Sequence, residues 1–93
     1  MPTIRQHIAD LLATRAMSAR DLSRSLGIRE KEVYTHLDHV AQSVRQSGRQ
    51  LQILPFRCLA CGYRFTKRKR YHRPSRCPQC RSSRIETPFY LIV

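Results

Sequence analysis

Cys58-Leu59-Ala60-Cys61 and Cys77-Pro78-Gln79-Cys80 hold all four cysteines of the 93-residue chain in two C-x-x-C pairs, with fifteen residues between them. Two cysteines separated by two residues can turn both sulfurs toward one point, and two such knuckles facing each other make a tetrahedral thiolate cage. Cys58, Cys61, Cys77 and Cys80 are therefore expected to ligate one structural metal ion. A pair of disulfides is the competing reading, and it needs an oxidising compartment. The start Met1-Pro2-Thr3-Ile4-Arg5 carries no apolar signal segment, so a cytoplasmic setting with free thiolates is expected. Zinc is the expected ion and iron the alternative, because thiolate cages accept both. Four thiolates fill every tetrahedral position, which argues against metal-centred hydrolysis.

The two knuckles differ in one residue type. Gly62 follows the first pair and Arg81 the second. A non-glycine residue enters the left-handed region only at a cost, so the second knuckle is expected to bend differently from the first. Roughly thirty residues around the cysteines are too few to bury a core of their own, so metal binding is expected to be coupled to folding there.

Outside the knuckles, Leu51 to Phe56 reads as a strand entering the first and Ile85 to Ile92 as a strand leaving the second. Pro55 and Pro88 cannot donate ladder hydrogen bonds and favour edges or bulges. Paired, the two strands make a hairpin with the knuckles at its far end, and Tyr63 and Phe65 belong to the ribbon's own core. Upstream lie three helices. Thr3 and Gln6 form a capping-box pattern ahead of a helix over residues 4 to 14, whose stripe Ile4, Ile8, Leu11 and Leu12 faces a core. Ser18 and Asp21 repeat the pattern for a second helix from Ala19 to about Ser25, burying Leu22 and Leu26 and stopped by Gly27. A third runs from Arg29 or Glu30 to Ser47, with Val33, Leu37, Val40, Ala41 and Val44 on its apolar face and Gly48 at its end. The fold class is α+β: a helix-turn-helix lobe with the first strand over residues 1–54, a four-cysteine ribbon over 55–84, and a returning strand over 85–93 that packs on the helices.

Charge divides the chain unevenly. Residues 1 to 54 carry eight Lys/Arg and five Asp/Glu, whereas residues 55 to 93 carry ten against one. Within Thr66 to Arg76 stand Lys67, Arg68, Lys69, Arg70, Arg73 and Arg76, preceded by Arg64, with no acid between residues 55 and 85. Such density points to a polyanion, double-stranded DNA above all, with these residues on phosphates or in a minor groove. No apolar run approaches the roughly 20 residues that cross a bilayer, and no basic amphipathic helix suggests a membrane surface.

The helix-turn-helix pattern from Met17 to Ile28, the following helix around Glu32 to His39, and the two knuckles together resemble a small family of predicted transcriptional regulators. These fuse a winged helix-turn-helix to a rubredoxin-like zinc ribbon. The resemblance implies the four cysteines as zinc ligands and a ribbon inserted in the wing. In helix-turn-helix proteins the last helix enters the major groove, which would give Lys31, Tyr34 and Thr35 contacts to bases or phosphates. Against that, residues 29 to 38 hold Arg29 and Lys31 beside Glu30, Glu32 and Asp38, an acidic balance that repels phosphates. The expected function is a DNA-binding transcriptional regulator; a protein-interaction adaptor of the transcription machinery is the alternative, and a rubredoxin-like redox protein the third reading. Paired carboxylates in an apolar setting, a phosphate loop and an open metal site are all missing, so no enzyme is expected. Reading two half-sites would need a homodimer, although no heptad declares one.

Overall fold

The computed structural model describes residues 3–66 and 68–93. Its helices are α1 (Ile4–Thr14), α2 (Ala19–Leu26) and α3 (Glu30–Gln46), and its strands β1 (Met17–Ser18), β2 (Leu51–Ile53), β3 (Phe56–Arg57), β4 (Arg64–Phe65) and β5 (Phe89–Ile92). Side chains set the helix starts. Thr3 Oγ1 accepts from the Gln6 N–H while Gln6 Oε1 accepts from the Thr3 N–H, both at 3.1 Å. Ser18 and Asp21 exchange the same two bonds ahead of α2, again at 3.1 Å, so each box satisfies two otherwise unpaired donors. Gly27, at φ 67°, ends α2 in the left-handed region. Arg29 precedes α3 with no side-chain cap, and its guanidinium instead pairs with Glu32 at 3.0 Å.

The apolar stripes of the helices meet in one core with the sheet. Ile8, Leu12, Leu22, Val33, Leu37 and Val40 are buried there with Tyr90 and Ile92 of β5. Three expected members are not fully enclosed: Ile4, one turn before Ile8, is 40% exposed, and Leu11 and Leu26 are half-buried. Ile4 and Leu26 sit at helix ends, where the packing partner has run out.

β5 pairs antiparallel with β2, in the register Leu51 to Ile92 and Ile53 to Tyr90, which is the expected hairpin. It also pairs on its other side with β1, Met17 opposite Tyr90, so the sheet order is β1-β5-β2 and the returning strand is central. The two long strands expected from sequence are each interrupted. Leu54 and Pro55 separate β2 from β3, and β3 turns away to pair with β4 in a second sheet, Phe56 opposite Phe65. Ile85 makes only an isolated bridge to Cys58 before the chain passes Pro88 into β5. The prolines lie in these breaks, where no ladder donor is required. Among the described residues no helix is long and apolar enough to cross a membrane.

Candidate metal centre and cationic grooves

The two knuckles are built alike, bond for bond. In the first, the Gly62 N–H donates to the Cys58 carbonyl at 2.9 Å and the Ala60 N–H to the Cys58 Sγ at 3.4 Å. In the second, the Arg81 N–H donates to the Cys77 carbonyl at 2.8 Å and the Gln79 N–H to the Cys77 Sγ at 3.4 Å. Arg81 reaches this geometry by adopting φ 62°, beside 79° for Gly62. The expectation of a differently bent second knuckle is thus corrected: arginine takes the left-handed conformation that glycine supplies in the first.

Facing each other, the knuckles bring the four Sγ atoms within 4.8 Å of one another. The Cys58–Cys80 and Cys61–Cys77 sulfurs are each 3.6 Å apart. A tetrahedron of thiolates about 2.3 Å from a central zinc has edges of about 3.8 Å, so the donor set fits such an ion. Cys58 and Cys77 are buried and Cys61 and Cys80 exposed. Burial alone would push the Cys58 thiol up, but N–H groups of Cys61 and Ala60 and neighbouring thiols stabilise its thiolate and lower it to about 7. The N–H of Tyr63 pulls the Cys61 thiol down, yet burial and the sulfurs around it prevail and raise it to about 12. Cys77 is lowered, its N–H donors from Cys80 and Gln79 overcoming burial, and Cys80 is raised. Four sulfurs this close cannot all ionise without a cation between them, which is the electrostatic demand a metal ion meets.

Between the knuckles the chain folds back over the helices. Tyr71 donates its hydroxyl to the Leu51 carbonyl at 3.4 Å, Tyr90 donates to the Tyr71 carbonyl, and the His72 ring stacks on Tyr34 of α3 at 4.8 Å. Arg68 reaches the His72 carbonyl through Nε and Nη2 at 3.3 and 3.0 Å, and Arg73 Nη2 donates to the Ile85 carbonyl at 2.5 Å. The basic segment is therefore pinned to the body of the protein.

Its cations line two grooves. One, of about 620 Å³, is lined by Arg64, Arg68, Lys69, Arg70 and Arg76 together with Tyr63 and Phe65. Another, of about 610 Å³, follows β2 and is lined by Arg45, Arg68, Lys69 and Tyr71. Neither has an acidic lining residue among those described. Of the expected nucleic-acid contacts, Arg64, Arg68, Lys69, Arg70 and Arg76 are thus brought together. Arg73 lies apart, in a cleft with Arg20, Glu30 and Tyr34, and Lys67 lies outside the described residues. On α3, Lys31 and Thr35 are exposed, while Tyr34 is half-buried under His72. Phe65 stacks on Phe56 at 4.6 Å in the ribbon's small core, but Tyr63, expected beside it, is 36% exposed and packs only edge-on. Arg45 was not legible as a groove residue, because nothing in the sequence of α3 places its last turn beside the ribbon.

These features define an α+β protein whose three helices carry small antiparallel sheets and a four-cysteine cluster. The chain belongs to the PF0610-like family, whose N-terminal domain profile matches residues 3–52. The solution NMR structure of protein PF0610 from Pyrococcus furiosus is similar over 97% of this chain and 88% of that one, with a TM-score of 0.80 and 30% sequence identity. No curated protein matches the sequence.

Proposed function

We propose that the chain is a DNA-binding transcriptional regulator: a winged helix-turn-helix in which a structural zinc ribbon, set between the wing strands, carries the main phosphate-binding surface. The observation that supports it best is the groove in which five cations converge without an opposing acid. Three helices with a short strand after the first, and a sheet in which that strand joins the two wing strands, agree with such a fold. Cys58, Cys61, Cys77 and Cys80 would hold the zinc, which supplies a cross-link and a charge but no open coordination position. The chain's own residues do the rest: the knuckle N–H groups steady the thiolates, Tyr71 and His72 hold the basic segment against β2 and α3, and Arg68 braces that segment internally. Replacing Arg64, Arg70 and Arg76 together by glutamine is expected to weaken duplex binding at least tenfold in fluorescence anisotropy, with zinc content unchanged. Unaltered affinity would remove the groove from this reading.

A second reading rests on α3. Its first turns hold exposed Glu30 and Lys31 and half-buried Glu32, and exposed Asp38 follows, a surface better matched to a basic protein partner than to a phosphate backbone. Stoichiometric capture of one protein component of the transcription machinery, with no duplex affinity at moderate salt, would favour an adaptor.

A further inference from the structure

We infer that the ribbon groove takes an unpaired nucleic-acid strand, with a base against Tyr63 and the flanking phosphates on Arg64, Arg70 and Arg76. The inference rests on the nucleic-acid reading above and specifies its ligand. Cations alone would suit any phosphate backbone; what narrows the choice is the company they keep. Tyr63 lines the same groove, 36% exposed, with its ring held edge-on to Phe65 at 5.0 Å and 80°. Phe65 is in turn stacked on Phe56, so the tyrosine stands on a fixed aromatic base and loses little freedom when a ligand stacks on it. Basic grooves that track a backbone beside aromatic rings are how proteins hold single strands, because an unpaired base exposes its π-face and a paired one does not.

The dimensions agree. About 620 Å³ falls within the range of roughly 300–1,000 Å³ that admits small organic ligands, room enough for a nucleotide. The site also continues: Arg68 and Lys69 line the second groove as well, which leads along β2 to Arg45 at the end of α3. Two acid-free grooves joined by shared cations suit a strand of several nucleotides better than one free nucleotide. Arg68 is already fixed by the His72 carbonyl, so the junction between the grooves is pre-formed.

The test is anisotropy titration of the zinc-loaded full-length chain with labelled dT15 and with a 15-base-pair duplex at one salt concentration. Tyr63→Ala is expected to lower the preference for dT15 over the duplex about tenfold, with one zinc per chain retained. Because the chain has no tryptophan, Tyr63→Trp places its sole indole in the groove, and dT15 should quench that fluorescence while the duplex does not. Equal loss of both affinities in Tyr63→Ala, or quenching by neither nucleic acid, would overturn the inference and leave the duplex reading standing. Displacement of dT15 by ATP as readily as by unlabelled dT15 would also overturn it, in favour of a small-nucleotide site. No binding of either nucleic acid at low salt would overturn both readings.

Discussion

At Arg81 the chain accepts a left-handed backbone for the sake of the metal site. Its φ of 62° lets its N–H close the second knuckle on the Cys77 carbonyl, at a conformational cost of about 1 kcal/mol relative to glycine. Arg81→Gly is accordingly expected to stabilise the zinc-loaded protein by about 1 kcal/mol in urea denaturation, and a loss of stability would show that the arginine side chain contributes more than its backbone costs. Tyr90 allows a second prediction. Burial, with Tyr34 nearby, pushes its phenol above the ordinary value of 10, so the fold favours the neutral form. That contribution is intact below pH 10 and is lost as pH rises through the raised value. The melting temperature of the wild type should therefore fall above pH 10, and fall less in Tyr90→Phe; identical pH profiles would place the alkaline sensitivity elsewhere. Residues like these show the limit of reading local preference from sequence: glycine preference at a knuckle is real, but two facing knuckles sharing one set of ligands override it.

The decisive element is the segment between the knuckles, which joins ribbon to helices through one ring stack and a few hydrogen bonds to carbonyls. Tyr34→Ala should release His72 from α3 and cost about 1 kcal/mol. Hydrogen exchange across residues 68–73 should then accelerate, with helical circular dichroism unchanged; exchange as slow as in wild type would mean that the hydrogen bonds of Tyr71 suffice. Helix limits were legible to within a residue because Thr3, Ser18 and Gly27 act locally. Strands were less so. Ser18 read as a helix cap and is one, but with Met17 it also forms β1 because β5 lies beside them, a long-range partner that a two-residue pattern cannot announce. Pro55 and Pro88 did mark irregularity, but whether a proline bulges a strand or divides it depends on where the next segment pairs. The four cysteines were legible from spacing alone, whereas the stack of His72 on Tyr34 has no periodicity to betray it.

Across the whole molecule, two bodies of unequal self-sufficiency are joined. The core shared by the helices and β1, β2 and β5 includes, of the described residues between 55 and 84, only Tyr71, while the ribbon has Phe56, Phe65 and the cysteines. Chelating the metal from the zinc-loaded protein should therefore unfold the ribbon first, broadening its amide resonances while the far-UV helical signal persists; simultaneous loss of both would mean that the helices depend on the metal too. Charge follows the same division, and it carries the central claim that the ribbon is the surface that meets nucleic acid. The most direct measurement is anisotropy of the zinc-loaded chain against duplex DNA across a salt series. Engagement of four or five phosphates by the groove predicts a slope of log affinity against log salt of about −4. A slope near zero, or no binding at low salt, would contradict it.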